Sequence, residues 1–143
     1  MTTRITCLSL IFIALFAISF TDEAISQVAS TTIQIKQNKE LGPYLTDSKG
    51  MTLYYFKKDS PGKSVCTETC LEMWPAFDAK EISVPEKLNG KDFGTITRED
   101  GKKQSTYKGY PLYYYRGDSN PGDTTGQGVS NIWFVVNPYA FKP

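Results

Sequence analysis

Hydrophobic and polar positions divide the chain into two unequal parts. Ile5 to Phe20 (ITCLSLIFIALFAISF) is a nearly unbroken apolar run behind one positive charge at Arg4, and Thr21-Asp22-Glu23 follows it. That form is a secretory signal peptide. Ala24 and Ser26 suit cleavage after Ser26, with Val28 and Ser30 as a second option, so residues 1–26 are expected to leave. The run sits at the lower limit of a membrane span. An uncleaved N-terminal anchor is therefore the alternative, and the one membrane attachment expected.

Beyond residue 26 the period is two. In the N-terminal segment 27–40, Thr31 to Lys36 (TTIQIK) alternates and puts Ile33 and Ile35 on one face. Pro43 to Leu45, the turn Asp47-Ser48-Lys49-Gly50 and Met51 to Phe56 (MTLYYF) read as a hairpin. A second hairpin joins Phe93–Arg98 to Gln104–Lys108 around Asp100-Gly101, the strongest short-range turn signal in the chain. Pro111 to Tyr115 (PLYYY) and Asn131 to Asn137 (NIWFVVN) predict two more strands, and Thr67 to Trp74 one short helix stopped by Pro75.

The same pattern occurs twice. Leu53-Tyr-Tyr-Phe-Lys-Lys-Asp59-Ser60-Pro61-Gly62 matches Leu112-Tyr-Tyr-Tyr-Arg-Gly-Asp118-Ser119-Asn120-Pro121-Gly122, with one inserted residue. The interval from Asp59 to Trp74 is 15 residues, and so is that from Asp118 to Trp133. Residues 41–138 are thus read as one domain of two repeats, about 41–77 and 93–138, followed by a C-terminal tail 139–143. The expected fold is all-β with one short helix. Seven or eight mostly antiparallel strands form two pseudo-symmetric meander units, closing as a sandwich or a flattened barrel.

Composition narrows the chemistry. The 143 residues contain no histidine, which removes Ser-His-Asp and Cys-His nucleophiles, histidine-ligated zinc and the c-type haem attachment motif. A net charge of +1, with the pairs Lys57-Lys58 and Lys102-Lys103 isolated among acids, gives no nucleic-acid footprint. Of three cysteines, Cys7 lies in the signal run and Cys66 and Cys70 remain, in a compartment where disulfides persist.

Cys66 and Cys70 admit three readings: a disulfide, a redox-active dithiol, or a Cu(I) site with a thioether from Met73 or Met51. Residues four apart in a helix have Cβ atoms about 5–6 Å apart. A disulfide needs about 3.5–4.5 Å. A bridge therefore requires Cys66 to lie ahead of the helix. Asp59 and Asp118 occupy equivalent places; paired carboxylates can do acid–base work or hold a cation, but Asp-Ser before Pro-Gly is also what a turn uses. By the pleat, Tyr54 and Phe56 face opposite to Tyr55, as Tyr113 and Tyr115 do to Tyr114. One face is expected in the core, and the other, with Tyr107 and Tyr110, as a recognition surface. Trp74 and Trp133, with Leu53 and Leu112, are read as repeat-equivalent core. Asp123-Thr-Thr-Gly-Gln-Gly128 lacks the strand–helix context of a phosphate loop and reads as a flexible hairpin loop.

With these residues in view, the chain resembles the secreted repeat of unknown function family, predicted lipoproteins with a Yx(FWY)xxD motif. Tyr54-x-Phe56-x-x-Asp59 and Tyr113-x-Tyr115-x-x-Asp118 both carry that motif, and the similarity runs from about Leu41 to Pro138. The resemblance implies an exported protein of modest size, often lipid-anchored, with no established catalytic role. The chain departs from the family by lacking a lipobox and by placing Tyr110 where members commonly have histidine. Together these features predict an exported non-catalytic binding or structural module of the periplasm or cell surface. Its expected partner is a cell-envelope protein or glycan, and no cofactor is implied. The alternative is a small redox or copper-handling protein using Cys66 and Cys70.

Overall fold

The computed structural model describes residues 30–143; the signal segment 1–26 and the first residues of segment 27–40 lie outside the described residues. The alternating stretch 31–36 is two strands rather than one. β1 (Ser30–Thr32) runs parallel to β5 (Glu81–Ser83), and β2 (Gln34–Asn38) pairs antiparallel with β3 (Gly42–Thr46). Ile33 marks the break: it is buried, and its N–H donates to the Ser83 carbonyl as the chain changes partner. Asn38 turns the β2–β3 hairpin by accepting the N–H groups of Glu40 and Leu41 on its side-chain oxygen.

The expected hairpin between 43–45 and 51–56 is corrected. The turn at Asp47–Gly50 exists, with Asp47 Oδ1 accepting from the Lys49 and Met51 N–H groups. The arms pair only next to it, at the Thr46–Thr52 bridge flanked by the Asp47 N–H on the Met51 carbonyl and the Leu53 N–H on the Leu45 carbonyl. β4 (Tyr54–Phe56) pairs instead with the distant β9 (Trp133–Val135), in the register Tyr54↔Val135 and Phe56↔Trp133. The reason is burial on both faces: all three residues of β4 are buried, so they need cover that a local hairpin cannot supply. The second hairpin forms as the sequence predicts. β6 (Phe93–Thr97) pairs with β7 (Lys103–Tyr107) around Gly101 at φ 79°, and the short β8 (Tyr110–Pro111) adds to β7. The helix is α1 (Thr69–Met73), one turn and a little more, ending at Trp74 before Pro75.

The strands make four small sheets, three antiparallel and one parallel, and no barrel closes among the described residues. The repeats are related by an approximate two-fold axis between Tyr54 and Tyr113. These two residues exchange both backbone hydrogen bonds, at 2.9 and 3.0 Å. About this axis each repeat lends its tryptophan-bearing segment to the other. β9 of the second repeat pairs with β4 of the first, and Ala76 of the first bridges Tyr113 of the second. The exchange continues in two cyclic triads of N–H donation, Leu53 to Leu45 to Val136 to Leu53, and Leu112 to Ser105 to Phe77 to Leu112. In each triad one member comes from the other repeat.

Two apolar clusters result. The central one gathers Tyr44, Tyr54, Phe56, Cys66, Trp74, Tyr113, Trp133 and Val135. The other holds Ile33, Leu45, Leu53, Tyr55, Phe77, Tyr107, Leu112 and Val136. The tryptophans do not plug their own units. They stack on one another across the axis, ring centroids 3.9 Å apart and planes 2° apart. Phe56 covers Trp133 at 4.2 Å and Tyr115 covers Trp74 at 4.3 Å, giving a four-ring column with two members from each repeat. Aromatic pairs add about 0.5–1.5 kcal/mol each beyond the area they bury, so the column binds the repeats to each other.

Candidate functional site: the duplicated tyrosine and aspartate locks

The motif residues converge on the axis. The first motif begins on β4 and the second at Tyr113, which makes only single bridges to Tyr54 and Ala76 instead of the strand expected over 111–115. Each ends in a turn in which the aspartate N–H donates to the carbonyl of the aromatic three residues earlier, Asp59 to Phe56 at 3.0 Å and Asp118 to Tyr115 at 3.1 Å. One carboxylate oxygen then organises the following loop. Asp59 Oδ1 accepts the Val65 N–H at 2.7 Å, and Asp118 Oδ1 accepts the Thr125 N–H at 2.9 Å and its hydroxyl at 2.6 Å. The other oxygen crosses the axis. Tyr113 donates its hydroxyl to Asp59 Oδ2 and Tyr54 donates its hydroxyl to Asp118 Oδ2, both at 2.6 Å.

The turn role considered for Asp59 and Asp118 is therefore present in the structure, with a tyrosine partner that the motif spacing does not reveal. Both tyrosines are 0% exposed, and Asp59 and Asp118 are 6% and 8% exposed. Burial and the aspartate beside each hydroxyl raise both phenol pKa values well above the ordinary tyrosine value of 10.0. Burial also pushes the Asp59 carboxyl up, against the Tyr113 hydroxyl, the Val65 N–H and the Arg98 charge, which favour its ionised form.

A second reciprocal contact brackets the locks. Gly62 donates its N–H to the Gly109 carbonyl and Gly122 donates to the Gly50 carbonyl, both at 2.9 Å. Gly50 and Gly109 sit at φ 83° and 85°, and a Cβ on them would stand 3.0 Å from Pro121 and 3.2 Å from Pro61. The Lys-Gly turn of each repeat thus seats the Pro-Gly turn of the other. Lys49-Gly50 and Lys108-Gly109 share the 59-residue offset of the two motifs, a signal that the sequence carries.

The surroundings of the two locks differ. Tyr54 accepts the Gly126 N–H on its hydroxyl, whereas Tyr113 meets the Ser64 hydroxyl at 2.6 Å. Ser64 in turn accepts from Arg98 Nη1 at 2.8 Å. Arg98 is 7% exposed; it also donates to Gln104 Oε1 and, through Nη2, to the Cys66 carbonyl. Its Nε lies 3.7 Å from Asp100 Oδ2 and has no hydrogen-bond partner among the described residues. Sequence reasoning missed Ser64, Arg98 and Gln104, because an arginine next to a hairpin turn reads as exposed.

Cys66 and Cys70 are joined by a disulfide with Cα atoms 5.3 Å apart. Cys66 lies ahead of α1 and Cys70 within it, the placement that the spacing demanded of a bridge. Met73, the thioether considered for copper, is 45% exposed. Among the described residues no group of three or more His, Cys, Asp or Glu side chains is placed to hold a metal ion. The exposed tyrosine face is corrected. Tyr55 and Tyr107 are 8% and 1% exposed and Tyr114 is half-buried, its hydroxyl on Asp47 Oδ2 at 2.8 Å. The tail is what covers that face: Phe141 meets Tyr55, Tyr107 and Tyr110 edge-on, with centroids 5.0 to 5.7 Å away. The loop Asp123–Gly128 is tied down, with Asp123 Oδ2 accepting from Ser119 and Asn120, and Gln127 Oε1 from Val135.

A strand-rich body of two interlocked repeats, each closed by the motif of the other, defines a duplicated all-β module. The chain belongs to the family described as secreted repeat of unknown function, whose two matches cover residues 37–78 and 94–137, more than half of it. No curated protein and no solved structure matches it. Among the described residues no helix is long and apolar enough to cross a membrane.

Proposed function

We propose that this protein is a non-catalytic module of the periplasm or cell surface whose two-repeat body holds a binding face for a component of the cell envelope. One observation carries the reading. The polar groups of the family motif, Tyr54, Asp59, Tyr113 and Asp118, satisfy one another across the axis and are buried, so they build the body and leave no acid or base of the motif facing solvent. Buried polar networks that are fully satisfied specify a unique arrangement. Val65 and Met73, each 45% exposed on the segment around the disulfide, are the apolar side chains that would meet the partner.

The experiment is retention of the exported protein on isolated cell-wall and envelope-membrane fractions. Saturable retention is expected, weakened by Met73→Lys with the melting temperature unchanged, because exposed substitutions shift stability by only about 0.5 kcal/mol. Recovery of the protein free of both fractions would contradict the binding role.

A further inference from the structure

The Cys66–Cys70 bond lies where the second repeat makes the corresponding path without a covalent link. Val65 and Thr125 are equivalent, since each gives its N–H to its motif aspartate. Counting on, the buried Cys66 corresponds to the buried Gly126, and Glu68 corresponds to Gly128. Glu68 and Gly128 each precede the short helical turn that leads to the stacked tryptophan, Glu68 at φ 42° and ψ −112°, Gly128 at φ 75°. The second repeat therefore reaches Trp133 with no disulfide and with glycine at the position of Glu68, in the left-handed region at ψ 5°, while Ser130 and Asn131 beyond it also take positive φ.

In the first repeat the Cys70 N–H donates to the Thr67 carbonyl at 2.9 Å, which closes a four-residue turn with Glu68 second. Its angles are those of the first central residue of a type II′ turn, a place glycine fills because a side chain is strained there. The strained residue sits inside the ring that the disulfide closes. The two sulfurs also differ in setting. Cys70 is half-buried, whereas Cys66 is fully buried and its carbonyl is held by the Arg98 guanidinium.

We propose that Cys66–Cys70 is a reducible thiol-exchange site for an exported dithiol reductant, rather than a bridge the fold requires. A partner thiolate attacks Sγ of Cys70, forming a mixed disulfide and expelling the Cys66 thiolate, which takes a proton from solvent. The partner's second thiol gives up its proton and attacks its own sulfur in the mixed disulfide, releasing Cys70 as a thiolate that is then protonated. The chain gains two electrons and two protons, and the partner leaves as a disulfide. Strained and accessible disulfides are the ones that exchange in this way. The backbone at Glu68 relaxes once the ring is open.

The test equilibrates the native protein with reduced and oxidised dithiothreitol, counting thiols while following the near-ultraviolet circular dichroism of the tryptophan column. Both thiols are expected to appear with that spectrum unchanged. Glu68→Gly, which removes the side-chain strain, is expected to shift the equilibrium roughly fivefold or more toward the disulfide. A bond that resists dithiothreitol until the tryptophan spectrum is lost would overturn the proposal. So would an equilibrium that Glu68→Gly leaves unmoved.

Discussion

Around Asp118 every hydrogen-bond partner is neutral: Thr125 and the Tyr54 hydroxyl, itself capped by the Gly126 N–H. Around Asp59 the Tyr113 hydroxyl is shared with Ser64, which is held by a buried arginine that also grips the Cys66 carbonyl. The geometry common to both locks is what the duplicated fold needs: a tyrosine from one repeat on the aspartate of the other, a Lys-Gly turn under a Pro-Gly turn, a tryptophan on a tryptophan. The features present once are Arg98, the disulfide and a glutamate where the other repeat has Gly128, and they are additions to that frame. The comparison thus separates residues that hold the body together from residues available to do something else.

The largest effect tests the shared frame. Trp74→Ala and Trp133→Ala each remove half of the central stack and should each cost about 3–5 kcal/mol in urea unfolding, in nearly equal measure. A much smaller loss at one of them would break the symmetry claimed for the column.

The aspartates should then separate the two locks. Asp59→Asn replaces an acceptor whose Tyr113 partner is tied through Ser64 to the buried Arg98, and is expected to cost about 2–3 kcal/mol. Asp118→Asn disturbs only neutral partners and should cost about 1–2 kcal/mol. Equal losses would mean that Arg98 contributes nothing to its lock.

Alkaline titration affects both locks together. The Tyr54 and Tyr113 hydroxyls have pKa values raised by burial, so the folded chain keeps protons that the unfolded chain loses above the ordinary tyrosine value of 10.0. Their stabilising contribution is whole below that pH and falls as pH rises through it, by up to about 1.4 kcal/mol per tyrosine per pH unit. Unfolding midpoints measured from neutral pH upward should be flat and then drop, with Tyr54→Phe and Tyr113→Phe each making the drop shallower. A change no larger than that at Asp118 is expected at the turns. Gly50→Ala and Gly109→Ala force a side chain to φ above 80° and should each cost about 1–2 kcal/mol, again nearly equally.

Local signals in the sequence account for much of this architecture. The period-two runs, the Asp-Gly hairpin and the Pro75 stop locate β6, β7, β9 and α1 to within a few residues, because each depends only on its immediate neighbours. The repeat is legible as well, from the spacing of Leu, Tyr, Asp and Trp. Strand pairing is not local and cannot be read this way. Tyr54–Phe56 looks like the second arm of a hairpin, and only the need to bury both of its faces sends it to Trp133–Val135 in the other repeat. The same non-local exchange hides the Tyr–Asp crossing. Motifs such as Tyr54-x-Phe56-x-x-Asp59 suggest contact within one copy, whereas the two-fold axis puts each tyrosine on the other copy's aspartate. Arg98 escapes sequence reasoning because its burial depends on partners beyond its own turn, Ser64 and Cys66 from the first repeat and Gln104 from the facing strand.

If each repeat is completed by the other, neither can persist alone, and the tryptophan column cannot part while the sheets survive. Equilibrium urea unfolding followed at once by tryptophan fluorescence and far-ultraviolet circular dichroism tests this directly. A single transition with coincident midpoints by both probes is the expected result. An early fluorescence transition that leaves the strand signal in place would show the repeats standing independently and would contradict the interlocked fold.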